Sequence, residues 1–280
     1  MFVPASLEKT ENRKFLAVNI RKSAEYLGHF RLVGKHGYHR QSMTLEALLI
    51  SRDPEVSTVL EPVLANMAVT LDVCVAATAG GQTLLSRKFD AVIFDCDDLP
   101  GGIEILQALR KTRSNQSSVA FAILNGATTT QKAFELGANF VLQKPLTTLN
   151  ATRCFNAALS FMTRERRRYF RHPIEMPVKV TFVDGKEFLA TTTNVSEGGM
   201  SVRCRGKLPK ATSVTLEFML PGTNVGLELG GEVAWIDDLG RAGIRFTEVP
   251  QSSQYQIEKW LTDQLEKQLP SVLKPHLTSR

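Results

Sequence analysis

From Leu45 onward the chain alternates short apolar runs with segments of helical period. The runs are Leu45–Ile50, 69–76, 90–95, 118–124 and 140–142, and the helix-period segments lie near 54–67, 80–88, 102–112 and 128–137. Short apolar strands separated by amphipathic helices predict a parallel sheet covered on both faces, of the size of a flavodoxin-like domain. Residues 147–166 then read as one helix, with Phe155, Ala158, Leu159 and Met162 on a single stripe. From Ile174 the period changes to two: Val178, Val180 and Phe182, then Met200, Val202 and Cys204, then Val214, Leu216 and Phe218 alternate with polar residues. With Gly/Asp turns at Asp184-Gly185, Pro221-Gly222 and Asp237–Gly240, this predicts a small antiparallel barrel. Gln254–Leu269 closes it as an amphipathic helix bearing Ile257, Trp260, Leu261 and Leu265 on one face. The expected class is therefore α/β plus β: a doubly wound parallel sheet over 44–163, then a barrel over 164–268. A basic tail over 1–43 and a loose C-terminal tail over 269–280 flank them.

Composition adds exclusions. No apolar run nears the roughly 18 residues of a membrane span. Residues 1–30 lack a signal-peptide core. The four cysteines form no CxxC pair, which points to reduced thiols and the cytoplasm rather than a disulfide frame or zinc site. The net charge of +6 changes meaning once located: residues 1–40 carry eight Lys/Arg against three Glu, a net of +5, leaving about +1 elsewhere. A general nucleic-acid surface is not implied. The tail reads as disordered, or as a membrane-surface or partner-binding helix, and His29, His36 and His39 lack the partners of a metal site.

The second basic island is Arg164–Arg171, five arginines in eight residues at the joint between the two patterns. Arg167 and Arg171 present planar, permanently charged forks suited to phosphate and to the O6/N7 edge of guanine. Further on, Asn194-Val195-Ser196-Glu197-Gly198-Gly199 is a polar turn whose glycines allow positive φ and close approach to a flat ligand. Together, in this order, the two motifs resemble the RxxxR and [D/N]xSxxG signature of the PilZ domain, the bacterial receptor module for cyclic di-GMP. Val233–Trp235 and Gly243–Phe246 resemble its closing strands. The resemblance implies that Arg167 and Arg171 contact phosphate and guanine, and that Asn194, Ser196 and Gly199 line the other guanine. Arg166 makes the double-arginine form, which in the family accompanies a stacked ligand dimer. Alternation directs Arg203 outward on the ligand's face. Trp235 either stacks on a guanine or is a buried structural residue.

Residues 45–163 resemble the receiver domain of response regulators. Asp90–Asp95 followed by Leu99–Gly102 is similar to its third strand and phosphoacceptor loop, and Lys144-Pro145 to its lysine and following, often cis, proline. Asp95 is then the acceptor candidate, with Asp97 and Asp98 nearby. The chemistry departs from the family: Ser51-Arg52 replaces an acidic pair, Asn125 replaces a Ser/Thr, and the loop before Pro100 is one residue longer. Arg52 is expected to place a cation where Mg²⁺ would sit, so no metal is expected. A degenerate receiver that homodimerises, docks a partner or orients the barrel follows.

The combined expectation is a non-enzymatic cyclic di-GMP receptor, without cofactor, in which ligand closes the arginine arm and changes the angle between domains, acting on an unidentified downstream protein. The barrel segment has only His172 and no Ser/His/Asp set, against an enzyme. A nucleic-acid binder would show broad, salt-dependent affinity and would leave Asn194 and Ser196 unexplained. An adaptor without nucleotide would leave the whole signature unexplained.

Overall fold

The computed structural model describes residues 43–204 and 211–277. The expected basic tail, with its three histidines, and the last three residues lie outside them. The first half has five strands: β1 (Leu45–Ile50), β2 (Val69–Cys74), β3 (Ala91–Asp95), β4 (Val119–Leu124) and β5 (Phe140–Gln143). They pair in parallel in the order β2-β1-β3-β4-β5. This is the flavodoxin-like order, as predicted. Helices α1 (Pro54–Asn66), α2 (Ala77–Ser86), α3 (Gly102–Leu109), α4 (Thr130–Glu135) and α5 (Thr148–Tyr169) cover both faces. The buried character of every residue in β3 and β4 follows from that double cover. Helix starts are chemically marked: Asp53 accepts from the Glu55 amide ahead of Pro54, and Thr147 accepts from the Asn150 amide.

Helix α5 runs three residues beyond the expected end at 166. Arginines in its last turn oppose the negative end of the helix dipole, and Phe170 breaks the helix by turning extended (φ −64°, ψ 129°). Its apolar stripe is buried as expected, with Phe155 tilted against Phe121 at 4.4 Å between ring centres.

The second half contains β6 (His172–Pro173), β7 (Pro177–Phe182), β8 (Glu187–Ser196), β9 (Gly199–Arg203), β10 (Ser213–Met219), β11 (Gly226–Ile236) and β12 (Arg241–Phe246). Strands β8-β7-β10-β11-β12-β9 pair in turn, and β9 pairs back onto β8, closing a six-stranded antiparallel barrel. Strand β6 lies outside the circuit, against the C-terminal half of β8. Alternation fills the barrel with Val178, Val180, Met200, Val202, Val214, Leu216 and Ile244. Helix α6 (Gln251–Glu266) packs with Ile257, Trp260, Leu261 and Leu265 inward.

The expected loose tail needs correction up to residue 277. Leu269, Leu273 and Leu277 are buried, and α7 (Lys274–Leu277) packs on α5. Three leucines at a spacing of four residues bury an apolar row that a detached tail would leave in water. One continuous core joins the inner stripe of α5, this segment and the barrel, and Ser42–Arg280 is one compact unit. Among the described residues no helix is long and apolar enough to cross a membrane.

Candidate functional site

The arginine motif and the glycine turn meet because of β6. Its register pairs His172 with Val195 and Pro173 with Asn194. Arg171 immediately precedes this two-residue ladder. Pro173 suits such an edge position because it needs no ladder partner for a missing N–H. Arg171 is exposed, its guanidinium resting on the Tyr169 carbonyl at 3.0 Å.

Arg167 reaches the same turn from the last turn of α5. Its Nε stands 3.4 Å from Glu197 Oε1, between Asn194 and Gly199 in sequence. Ser196 Oγ donates to the Gly199 carbonyl at 2.9 Å and shapes the turn. Gly199 is required by close approach rather than by positive φ: a Cβ there would collide with the Ile244 carbonyl oxygen. Gly198 has open space around its missing Cβ, and neither glycine has positive φ, which corrects that part of the expectation.

The ladder also extends the site sideways. Asn194 pairs with Ser201, Ser201 with Gly243, and Gly243 with Trp235, so these residues form one row across four strands. Trp235 is 44% exposed, which removes the buried alternative. Its indole lies over Gly243, where a Cβ would collide with Nε1. The structural tryptophan is Trp260, buried, donating to the Pro221 carbonyl and edge-on to His172. Arg203 points outward as expected and is exposed, 4.0 Å from Glu175. Ser201 and Gly243 were not singled out by sequence. Their signal is the alternation phase of β9 and β12, legible only once the pairing is known.

Arg166 is the residue that the structure does not bring to this site. Its Nη2 lies 2.6 Å from Asp90 Oδ2, 3.1 Å from the Thr44 carbonyl and 3.4 Å from Glu46 Oε1, all on the first sheet. The reason is helical geometry: successive side chains are about 100° apart, so Arg166 and Arg167 cannot face the same way. Asp90 is buried and desolvation pushes its carboxyl up to about 6, with the Arg166 charge opposing. Glu165, also buried, accepts from Lys88 Nζ and Ser117 Oγ, both at 2.6 Å, and Lys88 lies 4.2 Å from the centre of the Tyr169 ring. The run is thus divided: Glu165, Arg166 and Tyr169 fasten α5 to the first half, Arg167 faces the barrel turn, and Arg171 is exposed just past the helix.

The second cluster sits at the carboxyl ends of β1, β3 and β5. Lys144 Nζ contacts Asp53 at 2.7 Å, Asp95 at 3.1 Å and Asp98 at 2.7 Å, and Ser51 Oγ donates to Asp95 at 2.7 Å. Burial disfavours the ammonium, but the three carboxylates outweigh it and hold Lys144 above the usual lysine range. The Lys144 hydrogen bond in turn lowers Asp53. The Lys144–Pro145 bond is cis, as in the resemblance. The cation at the carboxylates is Lys144, correcting the placement of Arg52, which is exposed. Carboxylate oxygens of Asp53, Asp95 and Asp98 lie within 4.8 Å of one another, a donor set for a divalent ion that sequence did not assemble. The buried Asp95 Oδ1 is without a partner. Yet the Lys144 ammonium already lies among the three carboxylates, and the residues fit a metal only if Lys144 withdraws.

Comparisons with known proteins divide along the same line. No curated protein matches the chain. Among solved structures, the receiver domain of a sensor histidine kinase from Pseudomonas aeruginosa PAO1 is 20% identical, covering 41% of this chain and 97% of its own (TM-score 0.37). The PilZ domain of CeSA from a cellulose-synthesizing bacterium is 23% identical, covering 34% and 97% (TM-score 0.29). The inhibitor of motility MotI/DgrA of Bacillus subtilis is 18% identical, covering 35% and 51% (TM-score 0.30). The family model described as "PilZ domain" matches residues 165–263, a span that contains both motifs and the whole closed barrel. Residues 165–263 thus match the PilZ domain model, and a parallel α/β unit of flavodoxin-like strand order precedes them.

Proposed function

We propose that the chain is a cyclic di-GMP receptor without catalytic activity. The observation that carries this reading is the β6–β8 ladder, which sets the arginine arm against the strand that supplies Asn194 and Ser196. In this reading Arg167 and Arg171 hold phosphate and guanine edges, while Asn194, Ser196 and the Gly199 backbone line the opposite guanine. Trp235, flat over Gly243 in the Asn194 row, offers a stacking face, and Arg203 adds a peripheral cation. Arg166 is left out of the contacts of a first ligand. Ligand closes the exposed Arg171 over the turn, and the resulting pull reaches the first domain through α5.

A charge-assisted hydrogen bond contributes roughly 1.5–3 kcal/mol. Arg167→Ala or Arg171→Ala is therefore expected to weaken binding about tenfold to more than a hundredfold. Isothermal calorimetry with cyclic di-GMP, using GTP and cyclic di-AMP as controls, tests this. Wild-type affinity in both variants would remove the clamp.

A further inference from the structure

The clamp arginine is already occupied by a carboxylate of the chain itself. Arg167 Nε faces Glu197 Oε1 at 3.4 Å, an ion pair too long for a good hydrogen bond. Both atoms are buried and neither has a hydrogen-bond partner. A well-made pair would have closed to hydrogen-bonding distance. This one holds charge near charge while leaving the donor unsatisfied, the state a stronger acceptor would relieve.

The surroundings add strain to the carboxylate. Burial raises the Glu197 carboxyl, the Arg167 charge opposes this, Glu258 on α6 raises it further, and Arg168 on α5 lowers it again. The group is therefore flanked by two cations from one helix and one anion from the other. It sits at a variable position of the turn motif, so nothing in the signature itself requires an acid there.

The geometry points to Glu197 as an internal anion that occupies the phosphate place on Arg167, so that nucleotide binds only by displacing it. This rests on the reading of Arg167 as a phosphate contact. Glu197 is then an affinity-setting residue: it lowers affinity for the nucleotide phosphate and makes binding depend on its own protonation. The sign follows directly. Protonated Glu197 carries no charge, so it neither pairs with Arg167 nor repels an incoming phosphate. Affinity rises as pH falls through the raised carboxyl value. A bound phosphate disfavours the ionised carboxylate further, so wild-type binding takes up protons in weakly acidic buffer.

Calorimetry with cyclic di-GMP on the full chain tests this, comparing wild type, Glu197→Gln, Arg167→Ala and the double variant between pH 5 and pH 8. Glu197→Gln is expected to bind roughly tenfold tighter, equivalent to about 1.4 kcal/mol. It should also lose most of the pH dependence and the buffer-dependent proton uptake; other titrating groups, such as Asp90 and His172, cancel in the comparison. In the Arg167→Ala background the glutamine should give no gain, because the carboxylate acts through that arginine. If Glu197→Gln binds no tighter than wild type while Arg167→Ala is impaired, the internal anion is refuted and the clamp stands. If neither wild type nor Glu197→Gln binds at any pH, the clamp reading fails and the internal anion with it.

Discussion

Removing the Arg166 side chain separates its two possible roles. If Arg166 were a ligand contact, Arg166→Ala would weaken binding and leave the fold intact. The structure predicts the reverse. The substitution strands Asp90, which is 4% exposed at its side chain and, among the described residues, keeps only the Glu46 amide, at 2.8 Å, as a direct donor. Breaking one side of a buried ion pair costs about 3–5 kcal/mol. Arg166 is itself 19% exposed, so water already attenuates the pair and the lower end, about 3 kcal/mol at pH 7, is expected.

The pH dependence of that loss is diagnostic. The Asp90 carboxyl is raised from 3.8 to about 6 in the folded protein. For an acid raised on folding, the native state binds the extra proton, so its contribution to stability grows as pH falls from above 6 toward 4 and is lost as pH rises. A carboxyl raised that far contributes about 3 kcal/mol across the window. Without Arg166 the carboxyl rises further, and at pH 5 it is neutral and no longer needs a cation. The loss should therefore shrink by about 1.4 kcal/mol between pH 7 and pH 5, to roughly 1.6 kcal/mol. Urea unfolding followed by far-ultraviolet circular dichroism at pH 7 and pH 5 measures both values. The double variant Arg166→Met/Asp90→Asn should recover most of the stability, since a neutral replacement leaves no buried charge. Cyclic di-GMP affinity of Arg166→Ala should stay within about threefold of wild type. A loss below about 1 kcal/mol at pH 7, or an equal loss at both pH values, would falsify the fastener role.

Three further outcomes follow from the site geometry. Gly199→Ala should destabilise the barrel by about 1–3 kcal/mol, because its Cβ meets the Ile244 carbonyl oxygen, while Gly198→Ala, with open space, should stay within about 0.5 kcal/mol; thermal melts of the pair decide it. Trp235→Ala should leave the melting temperature near wild type but weaken cyclic di-GMP binding by about 1–3 kcal/mol if the exposed indole stacks on a base, read by calorimetry. Incubation with acetyl phosphate and Mg²⁺ should leave Asp95 unmodified by intact mass, since Lys144 holds the three carboxylates; a stoichiometric phosphoryl adduct at Asp95 would show that the ammonium gives way.

The alternation of strand and helix was legible because it reflects burial, and burial has a period. The same holds for the barrel: one phase of Met200, Val202 and Cys204 placed Arg203 outward before any pairing was known. Periodicity is silent about partners distant in sequence. Asp90 precedes Arg166 by 76 positions. A motif that counts adjacent arginines cannot tell that a helix turns them apart. For the same reason Lys144 on Asp53 and Asp98 went unseen: three loops meet at one end of a sheet, and none carries a local signal of the meeting. The sequence leaves Trp235 open between stacking and burial because a single tryptophan fits either; its exposure over Gly243 decides for the surface, and only strand pairing brings the two together.

The division of the arginine run constrains how ligand binding could move the molecule. The last turn of α5 is gripped on one side by Lys88, Ser117 and Asp90, and its inner stripe belongs to the core that continues into the barrel. Phe170, just past the helix, is buried as well. A large swing of the barrel about this joint would expose that shared core, at about 25 cal/mol for each Å² of apolar surface. The charge-assisted contacts to a nucleotide, roughly 1.5–3 kcal/mol each, would have to offset that cost. Arg171, on the Tyr169 carbonyl, and the Arg167 side chain, beside Glu197, are not tied to the first sheet, so closure there leaves the shared core in place. In the receptor reading proposed above, a signal to the first domain would take the form of a small displacement of α5 against β1 and β3, felt at the Arg166–Asp90 and Lys88–Glu165 contacts, rather than a hinge between two independent bodies.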